Sequence, residues 1–202
     1  MAYRDFTWQK VTKQFGLAID ERHDLFASIP EVTPSDQLRA ILAENVSLAL
    51  AISTEKARSE LIIAPLLVEV RKLVDRRIGF FSGVDFTVDV ARGLNGVCDF
   101  LLTQSPEQLF IRAPVVAIVE AKNENFKACL AQCSAELVAA QVFNEREGTG
   151  VTIVFGAVTT GNNWKFLRLE GATVSIDRAE YHIERVGKIL GVLLHMVGHP
   201  GP

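Results

Sequence analysis

The sequence predicts an α/β fold in which helices cover both faces of a central mixed sheet of about five strands. Helical periodicity occupies the segments before and after a central region of apolar or alternating residues. One further helical segment interrupts that region after the third strand. With 202 residues, the chain is also long enough to bury a full hydrophobic core. Together these observations favour a three-layer α/β/α architecture.

The first elements are expected to be helices. Residues 35–52 combine good helix formers with regularly spaced apolar residues, and Pro34 and Ser35 precede them as a capping region. A second helix is expected over 54–74, where Pro65 should bend it. Residues 1–33 are weakly periodic and are expected to pack on the domain as an extension.

The strands are recognised by alternation or by continuous apolar runs bounded by turn residues. A turn around Gly93 and Gly96 should join the first two strands as a hairpin. A helix over 123–145 should follow the third strand, and another is expected over 179–197. The five expected strands are 79–90, 97–103, 115–119, 151–159 and 164–169.

Length and composition predict a single domain over 1–202. Within it, 1–53 should form an N-terminal helical extension and 54–202 the core. A hydrophobic fraction of 49% and a charged fraction of 22% are typical of globular proteins and exclude disordered and fibrous classes. The net charge of −3 argues against a protein that coats nucleic acid, so recognition of phosphate should be local or assisted by a metal.

The cysteine content favours a reducing compartment. The chain has three cysteines, an odd number, and no apolar signal core follows its first residues. No stretch reaches the length of a membrane span. A cytoplasmic location without membrane association is therefore expected.

Ionisable residues interrupt or end two of the expected buried strands. The run from Pro114 to Val119 ends in Glu120-Ala121-Lys122, and alternation places Glu120 and Lys122 on one face. Asp99 lies inside the preceding apolar run, where an unpaired charge would be costly. If the two strands are neighbours, Asp99, Glu120 and Lys122 converge on one point. A purely structural alternative is an Asp99–Lys122 ion pair with Glu120 capping the next helix.

These residues resemble the motif of the PD-(D/E)XK nuclease superfamily, which has the restriction-endonuclease-like fold. The matching segments are Gly96-Val97-Cys98-Asp99 and Ile118-Val119-Glu120-Ala121-Lys122. Cys98 stands where the family motif has proline. The resemblance also includes the order of elements and covers about Glu60 to Leu169.

The resemblance implies a role for each residue of the site. Asp99, Glu120 and the carbonyl of Ala121 would bind Mg²⁺ or Mn²⁺, and Lys122 would orient or help to deprotonate the attacking water. Glu60 resembles an acidic helical residue that several such nucleases add, so it is a further metal and catalytic candidate.

A glutamine on the helix after the motif is also implied as a catalytic candidate. Gln132 is the first choice and Gln141 the second. Glu136 lies four residues beyond Gln132 and can lean over the same edge of the site.

The resulting hypothesis is a metal-dependent nuclease that hydrolyses phosphodiester bonds of nucleic acid, with DNA the expected substrate. It would belong to a bacterial defence or restriction-type system, as a homodimer or part of a larger complex. The alternative is a catalytically silent nuclease-fold subunit that binds DNA or a protein partner. The intact Asp99, Glu120 and Lys122 favour the enzyme, whereas the near-neutral charge favours the binding subunit.

Overall fold

A single mixed sheet of eight strands organises the computed structural model, which describes residues 1–122 and 126–198. The strand order is β1-β7-β6-β5-β4-β3-β2, and β8 pairs with β6. The β1/β7 and β4/β5 pairs are parallel and the others antiparallel. The strands are β1 (Ala18–Asp20), β2 (Gly79–Asp85), β3 (Val97–Thr103), β4 (Val115–Ala121), β5 (Ile153–Thr159), β6 (Asn163–Glu170), β7 (Thr173–Ile176) and β8 (Tyr181–His182).

The expected number of about five strands is wrong, because three short strands extend the sheet. The strands β1, β7 and β8 have three, four and two residues. Such lengths are too short to display a clear alternating pattern. One of them, β1, comes from the segment 1–53 and forms the sheet edge beside β7.

Helices pack on both faces of the sheet, which confirms the predicted α/β fold. On one face, helices α2, α4 and α6 surround Phe100 and Val119, and on the other α1 and α5 cover Leu101 and Ile118. Neighbouring residues on a strand point to opposite faces, so each strand contributes to both cores. The α-helices are α1 (Trp8–Phe15), α2 (Asp36–Ile52), α3 (Glu55–Arg58), α4 (Ala64–Leu73), α5 (Phe126–Arg146) and α6 (Val186–Met196).

Helix α2 begins as expected, since the Ser35 side chain accepts a hydrogen bond from the Leu38 amide. The helix expected over 54–74 is continuous from Glu55 to Leu73, where a π-helical turn (Ser59–Ile63) joins α3 to α4. Pro65 has no amide hydrogen to donate to the Leu61 carbonyl. The Asn45 side chain donates to that carbonyl instead, at 3.1 Å.

The first predicted strand is shorter than expected. It ends at Asp85, and a 3₁₀ turn over Val90–Arg92 precedes β3. Asp89 accounts for the difference, since its side chain accepts a hydrogen bond from the Arg92 amide and caps that turn. The expected antiparallel pairing of β2 with β3 is confirmed. Residues 123–125 of the helix expected over 123–145 lie outside the described residues.

None of the helices within the described residues is long and apolar enough to cross a membrane.

Asn144 joins helix α5 to the start of β4. Its fully buried side chain accepts from the Val115 amide at 2.8 Å and donates to the Val115 carbonyl at 2.7 Å. Asn144→Ala leaves both backbone groups without this partner, so we expect the free energy of unfolding to fall by roughly 2–4 kcal/mol. Gln141→Ala, on the exposed part of the same helix, should change it by less than about 0.5 kcal/mol. Urea denaturation measures both; equal effects would contradict the anchoring role.

Candidate active site

Asp99 and Glu120 lie side by side on adjacent strands. Strands β3 and β4 are antiparallel, with Phe100 opposite Val119, and the same register places Asp99 opposite Glu120. The Ala121 amide donates to Asp99 Oδ2 at 2.8 Å, and the Asp99 amide lies 3.4 Å from Glu120 Oε1. The neighbouring strands predicted from the sequence therefore bring these carboxylates together.

Lys122 contacts both carboxylates. Its Nζ lies 3.2 Å from Glu120 Oε2 and 3.8 Å from Asp99 Oδ2. The Lys122 amide donates to the Thr159 carbonyl at 2.8 Å, which fixes the backbone against β5. Burial acts to lower the pKa of Lys122, but Glu120 and Asp99 outweigh burial and raise it, so the side chain stays an ammonium. The Asp99–Lys122 contact is expected both for a metal-dependent active site and for a purely structural ion pair, so it does not distinguish the two interpretations.

Gln132 and Glu136 extend the cluster from helix α5. Gln132 Nε2 donates to Glu120 Oε2 at 2.7 Å and to Glu136 Oε1 at 3.0 Å. Glu136 is fully buried, and its Oε2 has no hydrogen-bond partner among the described residues. The side-chain amide of Gln132, which lies about two turns into α5, therefore holds the Glu120 carboxylate in place.

The two glutamates are crowded in a region of low polarity. Glu120 is 1% exposed, and burial together with the Asp99 carboxylate raises its pKa to about 7, partly offset by Lys122. Burial and the Glu120 charge raise the pKa of Glu136 well above its usual value. Burial likewise raises the pKa of Asp99, while Lys122 and the Ala121 amide act against that change. Without a bound cation, the site therefore favours a partly protonated state.

These shifts predict how stability depends on pH in the metal-free protein. The folded chain keeps a proton on Glu120 up to about pH 7, whereas the unfolded chain loses it near the usual 4.5. The associated stability is present below pH 4.5 and is lost as the pH rises through 7, with a magnitude on the order of 3 kcal/mol. Glu136 adds to this decline because its own pKa is also raised well above the usual value. Glu136→Gln removes that titrating group, so it should flatten the decline and raise stability at pH 8.

Urea denaturation in the presence of EDTA, between pH 5 and 8, measures the effect. Glu147→Gln, an exposed change just beyond α5, is the matched control and should follow the wild-type profile. A wild-type stability that stays constant over this range would contradict the assigned protonation of the cluster.

A first hollow opens on the α3 side of Asp99. This helix-side hollow has a volume of about 380 Å³. Glu60 lines it, but its side chain is 59% exposed and forms an ion pair with Lys56 at 2.5 Å. The residues that line the helix-side hollow are Glu55, Lys56, Ser59, Glu60, Ser82, Gly83, Asp99, Phe100 and Ala121.

The π-helical turn contributes Ser59 and Glu60 to the lining of the helix-side hollow, and such turns are frequent at functional sites. Glu55 was not anticipated from the sequence. Its charge adds to the rise in the pKa of Asp99, so it acts on the site electrostatically.

A second hollow of about 310 Å³ opens on the other side of Asp99. This N-terminal hollow is formed by the first residues of the chain together with β3, β4 and α5. No local pattern predicted this contribution, since residues 2–4 lie far from the motif along the chain. Its lining residues are Ala2, Tyr3, Arg4, Gly96, Val97, Asp99, Glu120, Lys122 and Gln132.

Of the two other predicted residues, Ala121 lies at the site and Gln141 bonds elsewhere on α5. Ala121 is a backbone neighbour of the carboxylates and is almost fully buried. Gln141 bonds to Glu145 on an exposed part of α5, at 3.2 Å. Among the described residues, there is no group of three or more His, Cys, Asp or Glu side chains arranged to hold a metal ion.

Comparisons with known proteins assign no family to this arrangement. No family model matches the sequence, and a search of curated proteins finds no significant match. The fold and the site geometry are therefore the basis for a functional proposal.

Proposed function

We propose that the protein is a metal-dependent nuclease that hydrolyses phosphodiester bonds, with DNA as the substrate class. The observation that carries this proposal is the position of the Lys122 ammonium, which lies within 4 Å of two carboxylates and lines the N-terminal hollow. Two carboxylates can hold a hard cation, and a fixed ammonium can stabilise negative charge. This combination suits hydrolysis of a phosphodiester.

The donor groups at the site fit Mg²⁺ or Mn²⁺ in chemical type. Asp99, Glu120 and the Ala121 carbonyl are hard oxygen ligands, and Mg²⁺ commonly takes few protein ligands while keeping several waters. Such sparse coordination is compatible with the lack of a three-carboxylate group among the described residues. When bound, the ion would polarise the phosphoryl oxygen and lower the pKa of a bound water.

The chain's own residues supply orientation and charge. Lys122 would stabilise the charge that develops on the phosphate oxygens and orient the attacking water. Gln132 holds the Glu120 carboxylate through a 2.7 Å hydrogen bond, and the Ala121 amide does the same for Asp99 at 2.8 Å. Glu60 and Glu55, on the opposite wall, can position water or the cation from the helix-side hollow.

The resemblance to the PD-(D/E)XK superfamily supports the same conclusion. Its motif falls on β3 and β4, which lie at the interior of an open mixed sheet with helices on both faces. We therefore propose the restriction-endonuclease-like fold and a role in a bacterial defence or restriction-type system, as a homodimer or in a larger complex. The three described cysteines are free and buried, which suits the reducing cytoplasm.

One observation favours the alternative of a catalytically silent subunit that binds DNA or a protein. Glu120 is almost fully buried, and Lys122 and Gln132 both contact its Oε2. A cation must compete with these contacts. A protein that had lost metal binding could retain the same arrangement as a structural cluster.

A cleavage assay tests the proposal. We expect the wild-type protein to cut at least one of four labelled substrates, namely single-stranded or double-stranded DNA or RNA, with DNA preferred. Cleavage should require Mg²⁺ or Mn²⁺, stop with EDTA and return when the cation is restored. Metal-free protein that cuts equally well would contradict a metal-dependent mechanism, and failure to cut any substrate would favour the binding subunit.

A further inference from the structure

The first residues of the chain form a fixed wall beside the candidate site. Tyr3 is 1% exposed, its hydroxyl donates to the Phe86 carbonyl, and its amide donates to the Asn95 carbonyl at 3.1 Å. These contacts connect the N-terminal turn (Tyr3–Asp5) to the segment that enters β3. The backbone at Arg4, next to Tyr3 in sequence, is therefore held at a defined position relative to Asp99.

A glycine permits this close approach. Gly96 has φ +146°, and a Cβ there would lie 3.0 Å from the Tyr3 ring. Both the backbone conformation and the space therefore favour glycine at this position. The aromatic ring packs directly against the backbone that leads to Asp99, so the wall and the carboxylate form one unit.

Arg4 is a free cation in this wall. Its side chain is exposed and lines the N-terminal hollow together with Lys122 and Gln132. Within residues 1–122 and 126–198, no hydrogen bond or ion pair engages its guanidinium. A guanidinium is always charged and presents several donors that match the oxygens of a phosphate.

We propose that Arg4 binds a backbone phosphate of nucleic acid, next to the phosphodiester that lies at Lys122. This inference rests on the proposed function, because it extends the substrate path of the same site. Arg4 and Lys122 line the same N-terminal hollow, so a strand whose phosphodiester lies at Lys122 can place a neighbouring phosphate at Arg4. Arg4 is a substrate-binding residue in this arrangement and takes no part in bond cleavage.

Fluorescence anisotropy with a labelled DNA oligonucleotide, in single-stranded and double-stranded forms, tests this inference. Ca²⁺ replaces Mg²⁺ so that binding is measured with a hard cation present. Arg4→Ala should raise Kd by roughly threefold to tenfold and reduce the slope of log K against log salt by about one unit. Arg4→Lys should keep the wild-type slope, since it keeps the charge.

Arg112→Ala is the matched control. Arg112 is also exposed, but it lies in the β3–β4 connection at the opposite end of these strands from Lys122. Arg112→Ala removes the same net charge as Arg4→Ala. Because Arg112 lies far from Lys122, this substitution should leave Kd and the salt slope near their wild-type values. Equal effects of Arg4→Ala and Arg112→Ala would overturn the inference in favour of a general charge effect.

Cleavage kinetics separate this inference from the proposed function. In an active wild-type enzyme, Arg4→Ala should raise KM and leave kcat unchanged; an Arg4→Ala protein that binds and cuts like wild type overturns the inference alone. If wild-type protein binds DNA through Arg4 but does not cut it, the result supports the inference and contradicts the proposed nuclease function. Wild-type protein that does not bind DNA overturns both.

Discussion

Lys122→Ala is expected to lower metal-dependent cleavage by about a hundredfold or more, while the fold and metal binding persist. The ammonium lies 3.2 Å from Glu120 and 3.8 Å from Asp99, so it can stabilise charge that develops on a phosphate at the same point. A protonated lysine cannot ligate a cation, and its removal lessens repulsion of the metal. Initial cleavage rates with Mg²⁺ and Mn²⁺ measure the loss.

Lys72→Ala serves as the control for this variant. Lys72 lies near the end of α4 and pairs with Glu69 at 3.6 Å, so its removal also deletes one positive charge. It should keep the wild-type rate. Equal rates for Lys122→Ala and wild type would reject the catalytic role of Lys122.

Asp99→Asn is expected to weaken Mg²⁺ binding by roughly a hundredfold and to abolish cleavage, because a neutral amide is a much weaker ligand for a hard cation. The amide oxygen can still accept the hydrogen bond from Ala121, so the backbone arrangement should survive. Isothermal titration calorimetry with Mg²⁺ and Mn²⁺ measures the affinity.

Asp75→Asn is the corresponding control. Asp75 is exposed beyond the end of α4 at φ 54°, a conformation that asparagine also tolerates. It should bind metal like wild type. If Asp99→Asn retains wild-type affinity, Asp99 is not a ligand and the metal-site proposal fails.

Local patterns were sufficient to predict the centre of this fold. The apolar run before Glu120 gave the interior strand β4, and Ser35 gave the start of α2, because these signals depend on residues close in sequence. The short strands β1 and β7, at one end of the sheet, were missed. Their stability comes from pairing with each other and with β6, which a single short segment does not reveal.

The candidate site was only partly visible in the sequence. Asp99, Glu120 and Lys122 could be combined because strand alternation and neighbouring strands constrain them. Gln132 and Glu136 lie four residues apart on α5, so both reach the site once α5 packs on the sheet face that carries Glu120. Arg4 and Glu55 have no local signal, since long-range packing of the N-terminal turn and of α3 brings them to the hollows.

Anomalous X-ray scattering from crystals grown with Mn²⁺ and a short DNA duplex would show whether Asp99 and Glu120 bind a metal ion beside the substrate. We predict a Mn²⁺ peak at the site, with the oxygens of Asp99 and Glu120 and the carbonyl of Ala121 at about 2.1–2.2 Å. We also predict a DNA phosphate next to Lys122. A structure with DNA bound and no Mn²⁺ between Asp99 and Glu120, or with Lys122 still bridging both carboxylates away from any phosphate, would contradict the proposed nuclease site.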